Sequence, residues 1–123
     1  MQLRPDQEDV FRYAAQVSFR KRVATYLRKH LPQHTVGLPD EELTGMILDW
    51  QTRAAAYGVV TERAMAKWCL LSMMVGPAFH NEPEVAAYLR QAEPPPSVKI
   101  DTLLDALYVR VRQGEVQSGR ESF

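Results

Sequence analysis

The side chains of this chain that could hold a metal or attack a substrate are few and dispersed. Its three histidines are His30, His34 and His80. His30 and His34 stand four residues apart, the spacing that puts two imidazoles on one helix face, where they could share a zinc ion. Pro32 lies between them, and proline ends a helix that arrives from its N-terminal side. The pair is therefore expected to be split, with its rings solvated or bonded locally. Cys69 and Ser72 carry nucleophilic atoms, but both lie in an apolar run with no histidine near them in sequence to act as base. The adjacent Glu41 and Glu42 read as the acidic start of a helix rather than as an acid–base pair. The six glycines are scattered over element ends and form no phosphate-cradling loop. No catalytic residue, metal site or cofactor is expected, and the chain reads as a non-enzymatic protein.

Two constellations remain. The first is a basic band, Arg20, Lys21, Arg22, Arg28 and Lys29, five cations within ten residues. It reads either as a solvated helix face or as a surface that docks an acidic protein, with arginine forks taking carboxylates in bidentate fashion. On the second reading Arg20, Arg22, Arg28 and Lys29 touch the partner. The other constellation is Gly76-Pro77-Ala78-Phe79-His80-Asn81-Glu82-Pro83, a turn stiffened by one glycine and two prolines. It is either a helix-to-helix corner with Phe79 tucked into the core, or a recognition loop that presents Phe79, His80 and Asn81.

The elements that must position these residues are helical. Residues 64–77 are apolar on nearly every face, yet they include Lys67 and are too few to cross a bilayer. A helix that is apolar all round must be buried all round, so a helix over about residues 61–75 is expected at the centre of the domain, capped by Thr61 and ended by Gly76-Pro77. A first helix is expected over about residues 5–31, with Phe19, Val23, Tyr26, Leu27 and His30 as its apolar stripe and Val10, Ala14 and Val17 extending that stripe. A turn-rich linker precedes a second helix over about 40–57, where Leu43, Met46, Ile47, Trp50, Ala54 and Tyr57 repeat at helical spacing and Gly58 suits the left-handed position after the last turn. A short helix over 82–91, the stiff run Pro94-Pro95-Pro96, and a last helix from residue 97 or 101 to 113 complete an all-α single domain of about five helices over residues 1–113. Residues 114–123 read as a disordered tail.

Composition narrows the classes further. A chain of 123 residues with 15 Lys/Arg and 15 Asp/Glu is long enough for one real core, and its zero net charge argues against a dedicated nucleic-acid binder. The balance is uneven: residues 1–37 hold seven Lys/Arg against three Asp/Glu, and residues 38–123 hold eight against twelve. The basic first helix is expected to face the acidic remainder or an acidic partner. A lone cysteine fits a reducing cytoplasm, and the polar start, with no apolar h-region, predicts no export signal and no association with a membrane.

Several stretches carry a resemblance. They are Phe19-Arg20-Lys21-Arg22-Val23-Ala24-Thr25-Tyr26-Leu27-Arg28-Lys29-His30, Gly37-Leu38-Pro39-Asp40-Glu41-Glu42-Leu43, Ala54-Ala55-Ala56-Tyr57-Gly58-Val59-Val60-Thr61-Glu62 and the 76–83 turn. Together, over about residues 5–110, the chain resembles a loose family of small helical proteins that accompany type VI secretion effector genes in Gram-negative bacteria, beside PAAR or VgrG spike proteins and toxin–immunity pairs. The resemblance implies a cytoplasmic accessory role, as chaperone or co-chaperone for a secreted effector or its spike, with another protein as the partner. The alternative it implies is an immunity protein that neutralises a secreted toxin. It brings no catalytic residue.

Overall fold

Six α-helices and one 3₁₀ turn follow from local signals read along the chain. The computed structural model describes residues 5–113, with side chains described for residues 10–107. Helix α1 spans Pro5–His30, α2 is the single turn Pro32–Thr35, α3 spans Asp40–Ala56 and α4 spans Glu62–Val75. After the 3₁₀ turn Phe79–Asn81 come α5, Pro83–Arg90, and α6, Pro96–Gln113. No strand occurs among the described residues. The protein is all-α.

Each boundary has a local cause. Pro32 ends α1 and starts α2, where its missing N–H is no loss because the first N–H groups of a helix have no partner anyway. The linker therefore holds one helical turn more than the sequence signals suggest, closed by the buried Thr35, whose Oγ1 donates to the Leu31 carbonyl at 2.9 Å. The first turn of α3 carries Asp40, Glu41 and Glu42, which suit the positive end of the helix dipole. Its far end is a Schellman motif: the Val59 N–H reaches the Ala54 carbonyl at 3.1 Å and the Gly58 N–H reaches the Ala55 carbonyl at 3.0 Å. That motif needs a left-handed residue, and Gly58 supplies it with φ at +80°. Thr61 caps α4 through its side chain, which accepts from the Ala64 N–H at 3.2 Å. Pro83 and Pro96 open α5 and α6.

Helix α4 is the centre of the domain. Every residue over 64–72 is buried or half-buried, and the helix packs against α1, α3, α6 and the 3₁₀ turn. Leu27 and Val23 of α1, Leu43, Ile47 and Trp50 of α3, and Ile100 and Leu104 of α6 close the core around Trp68, Leu70 and Leu71. Lys67 lies in this helix with its stem covered and its Nζ paired to the Asp101 carboxylate of α6, so one charged group ties the two helices at their edge.

Four residues in two places depart from the sequence expectation. Val10, Ala14 and Val17 do not extend the buried stripe of α1: Val10 and Ala14 are exposed and Val17 is half-buried. Lys99, with no sequence signal for it, is buried at the start of α6, where its Nζ donates to the carbonyls of Leu89 and Gln91 at the end of α5. A lysine can occupy that place because helix C-terminal carbonyls lack partners within their own helix. The segment 114–123, expected to be disordered, lies outside the described residues.

Candidate functional site

The basic band is divided among several structural tasks. Arg22 projects from α1 to Glu62 at the start of α4, with Nη2 3.0 Å from Oε2 and Nη1 3.5 Å from Oε1, and its guanidinium lies 5.6 Å from the Phe19 ring centroid. Arg28 is half-buried and donates to three acceptors: the Thr35 carbonyl at 3.1 Å, the Leu38 carbonyl at 2.7 Å and Asp40 Oδ1 at 2.8 Å. It is a clamp that holds the α2 turn and the start of α3 against α1. Lys29 is exposed and also engaged with a neighbour. Arg20, half-buried, and Lys21, exposed, make no ion pair among the described residues. Beside them a groove of about 570 Å³ runs between Lys21, Ala24 and Arg28 on α1 and Asp40, Glu41 and Thr44 on α3.

The 76–83 turn is a corner. Phe79 and His80 are buried and Asn81 is exposed, so of the three residues only Asn81 is presented to solvent. Phe79 meets the Trp68 ring edge-on at 4.8 Å, and His80 stacks on Trp68 at 5.6 Å with an interplanar angle of 26°. Tyr57, just past α3, closes the cluster at 5.6 Å from both Trp68 and His80. Neither ring nitrogen of His80 and not the Trp68 Nε1 reaches a hydrogen-bond partner of normal geometry. Burial lowers the pKa of His80 from its ordinary value of 6.5, and the positive charge of Arg53 lowers it further; the nearby Pro77 carbonyl and Asn81 side chain work in the opposite direction. The ring is a packing element with its basicity suppressed.

What the corner does shape is a second groove. Gly76 and Pro77 form one wall of a hollow of about 370 Å³ between α3 and the end of α4. Its floor is Trp50, Met46 and Met73, and His34 and Asp49 stand at its edge. Arg53 braces it, pairing with Asp49 at 3.3 Å and donating from Nη1 to the Pro77 carbonyl at 3.3 Å. Met46 and Met73 are half-buried and Trp50 is buried behind them, so the surface the hollow offers a visitor is mainly thioether. Unbranched, polarisable methionines adapt to side chains of varied shape. Sequence periodicity had placed Met46 and Trp50 in the core stripe of α3. Nothing along the chain signals the groove itself.

The remaining chemical candidates sit apart. His30 packs on Tyr26, ring centroids 4.5 Å apart, while His34 lies at the rim of the groove. Among the described residues no three His, Cys, Asp or Glu side chains gather to hold a metal ion. Cys69 is fully buried, and desolvation pushes its thiol up to about 12, far from the thiolate a nucleophile needs. No helix among the described residues is long and apolar enough to cross a membrane. In comparisons with protein-family models, curated proteins and solved structures, nothing matches this chain.

Proposed function

We propose that this chain is a binding protein that takes an apolar side chain of a partner protein into the groove over Met46, Trp50 and Met73. The observation that carries the reading is that groove: methionine side chains that adapt in shape, a wall at Gly76-Pro77 held by Arg53, and polar groups, His34 and Asp49, in its lining to orient what enters. A few hundred cubic ångströms suit one or two anchoring side chains, and buried anchors carry most of the energy of protein interfaces. Joined to the resemblance of residues 5–110, the reading becomes a cytoplasmic chaperone or co-chaperone that holds a type VI secretion effector or its spike before loading. Arg20, Lys21 and Lys29 stand on α1, outside the lining of this groove, and contribute, on this reading, to encounter with the partner rather than to its anchoring.

The test is co-expression with the products of the neighbouring genes, followed by co-purification. An effector or spike component is expected to purify with the wild-type chain and to be lost with Met73→Glu or Met46→Glu. Met73→Leu and Met46→Leu, which keep volume and apolarity, are expected to retain it. Absence of any association with those products, or association indifferent to both glutamate variants while their melting temperatures hold, overturns the reading.

A further inference from the structure

The 76–83 corner joins a buried imidazole to the wall of the Met46–Met73 groove, and Arg53 is the link between them. Arg53 pairs with Asp49 at 3.3 Å and donates from Nη1 to the Pro77 carbonyl at 3.3 Å. Asp49 lies on α3 with Arg53 itself, so of the two acceptors only the Pro77 carbonyl belongs to the wall. Gly76, the residue before it, holds φ at +135°, and a Cβ built there would meet no atom within 4 Å. Close packing is therefore not what fixes the wall at that point. The arginine bond ties it to α3.

His80 stands beside the same carbonyl. Its ring is 8% exposed and packs among Tyr57, Trp68 and Phe79, with neither nitrogen in a hydrogen bond of normal geometry. The groups that act on it are few. Arg53 and Tyr57 reach it from α3 and the residue after that helix, Trp68 from α4, and the Pro77 carbonyl and Asn81 side chain from its own turn. Toward α5, Glu82 and Glu84 are exposed, and no carboxylate acts on the ring. An imidazolium here meets one cation and no anion.

A neutral imidazole has a single N–H and leaves the Pro77 carbonyl to Arg53. Protonation makes both nitrogens donors, and the acceptors near them are the Pro77 carbonyl and the Asn81 side chain. Two cations then compete for one carbonyl oxygen. Burial decides the outcome. The Arg53 side chain is 40% exposed, and without Pro77 it keeps Asp49 and water. The imidazolium is cut off from water, and a buried charged donor without an acceptor is the costlier state.

We propose that the Pro77 carbonyl passes from Arg53 to His80 when the ring is protonated, untying the groove wall from α3 and loosening the groove's hold on a partner. The loosened hold rests on the groove being the binding site; the exchange of the carbonyl does not. Burial and the Arg53 charge place the folded His80 below its ordinary 6.5. The brace is thus complete above about pH 6.5 and is lost as the pH falls through the lower folded value.

Methionine methyl groups labelled with carbon-13 read the groove in the full chain with no partner present, since Met46 and Met73 line it. All measurements use a His34→Gln background, which removes the other imidazole of the lining. From about pH 7.5 to about pH 5, a span that brackets histidine titration, the Met46 and Met73 methyl signals are expected to move with the midpoint of the His80 ring signals, below 6.5. Met65, in a separate pocket, stays still, and the helical circular-dichroism signal is unchanged. His80→Leu abolishes the methyl movement. Arg53→Met raises the His80 midpoint, because a neighbouring cation is gone, and cuts the movement by half or more, because the wall has no brace left to lose. Methyl groups that stay still while His80 titrates overturn the exchange. So does movement unchanged in either variant, or a helical signal lost as His80 protonates. None of these outcomes depends on a partner, so a groove that binds nothing fails the functional reading alone. Where an effector or spike component co-purifies, washing at about pH 5.5 is expected to strip it from the wild-type chain and to spare the His80→Leu complex. Equal retention by both overturns the link between the exchange and the groove.

Discussion

His80 holds an imidazole inside a shell of aromatic rings, and its protonation is therefore coupled to folding. Its folded pKa lies below the ordinary 6.5 because burial and the Arg53 charge disfavour the imidazolium. The unfolded chain then binds a proton more readily than the folded one. Stability from this group is fully present above about pH 6.5 and is lost as the pH falls from there toward the folded pKa. Urea midpoints measured at pH 7.5 and at pH 5.5 are expected to fall with acidification, and to fall less in His80→Leu, which keeps the packing against Trp68 and Phe79 without a titrating ring. An equal acid loss in both proteins would show that His80 is not the group responsible. Cys69 gives a second residue-scale test. A thiol held near 12 and fully buried is expected to resist alkylation in the native protein and to react at once in denaturant. Rapid labelling of the native chain would place it at a surface.

At the scale of elements, two arginines in one basic band do different work. Arg28 donates to two carbonyls and a carboxylate that belong to the α2 turn and the start of α3. Arg28→Glu removes those bonds and sets a carboxylate against the same acceptors and Asp40. Hydrogen bonds to a charged group contribute about 1.5–3 kcal/mol, so a loss of about 2 kcal/mol or more is expected in chemical denaturation. Arg22 makes an ion pair with Glu62 whose two partners are both more than half exposed, and such pairs contribute about 0–1 kcal/mol. Arg22→Glu is therefore expected to shift stability by less than about 1 kcal/mol. Equal losses from the two reversals would mean that Arg28 is not a clamp. The buried Lys99 belongs to this scale too, since it joins the end of α5 to the start of α6 through carbonyls that α5 itself leaves without donors.

At the scale of the whole molecule, α4 is the one helix on which the other large helices converge. Leu71 sits in its buried middle, with neighbours from several elements that cannot all move inward to fill a void. Leu71→Ala is expected to cost about 2–5 kcal/mol, the range for deleting a large aliphatic side chain from a packed core. Thermal or urea unfolding measures it, and a loss below about 1 kcal/mol would show that α4 borders a surface.

Local chemistry determined the helical architecture in advance. The run over 64–77 had no polar face to give to water, Thr61 and Gly58 announced a cap and a left-handed stop, and Pro32 marked a boundary, because these signals act within a few residues of chain; Pro96, expected in an extended break, instead opens α6. The spacing of Leu43, Ile47, Trp50 and Ala54 likewise identified the buried face of α3. What depends on distant partners was decided only by the tertiary structure. Helix α1 carries apolar residues on two opposite sides, and periodicity cannot say which side meets a core; the packing of α3 and α4 selected the side of Phe19 and Val23 and left that of Val10 and Tyr13 open. Arg22 and Arg28 look alike in sequence, yet their acceptors come from other elements and differ in number and burial. Phe79 reads from the sequence as tucked into a corner or, with His80, as presented on a loop, and only Trp68 beside both rings and Tyr57 beside His80 decide for the corner. The Met46–Met73 groove has no signature along the chain, because a hollow is made by the separation of two helices and not by the residues of either one.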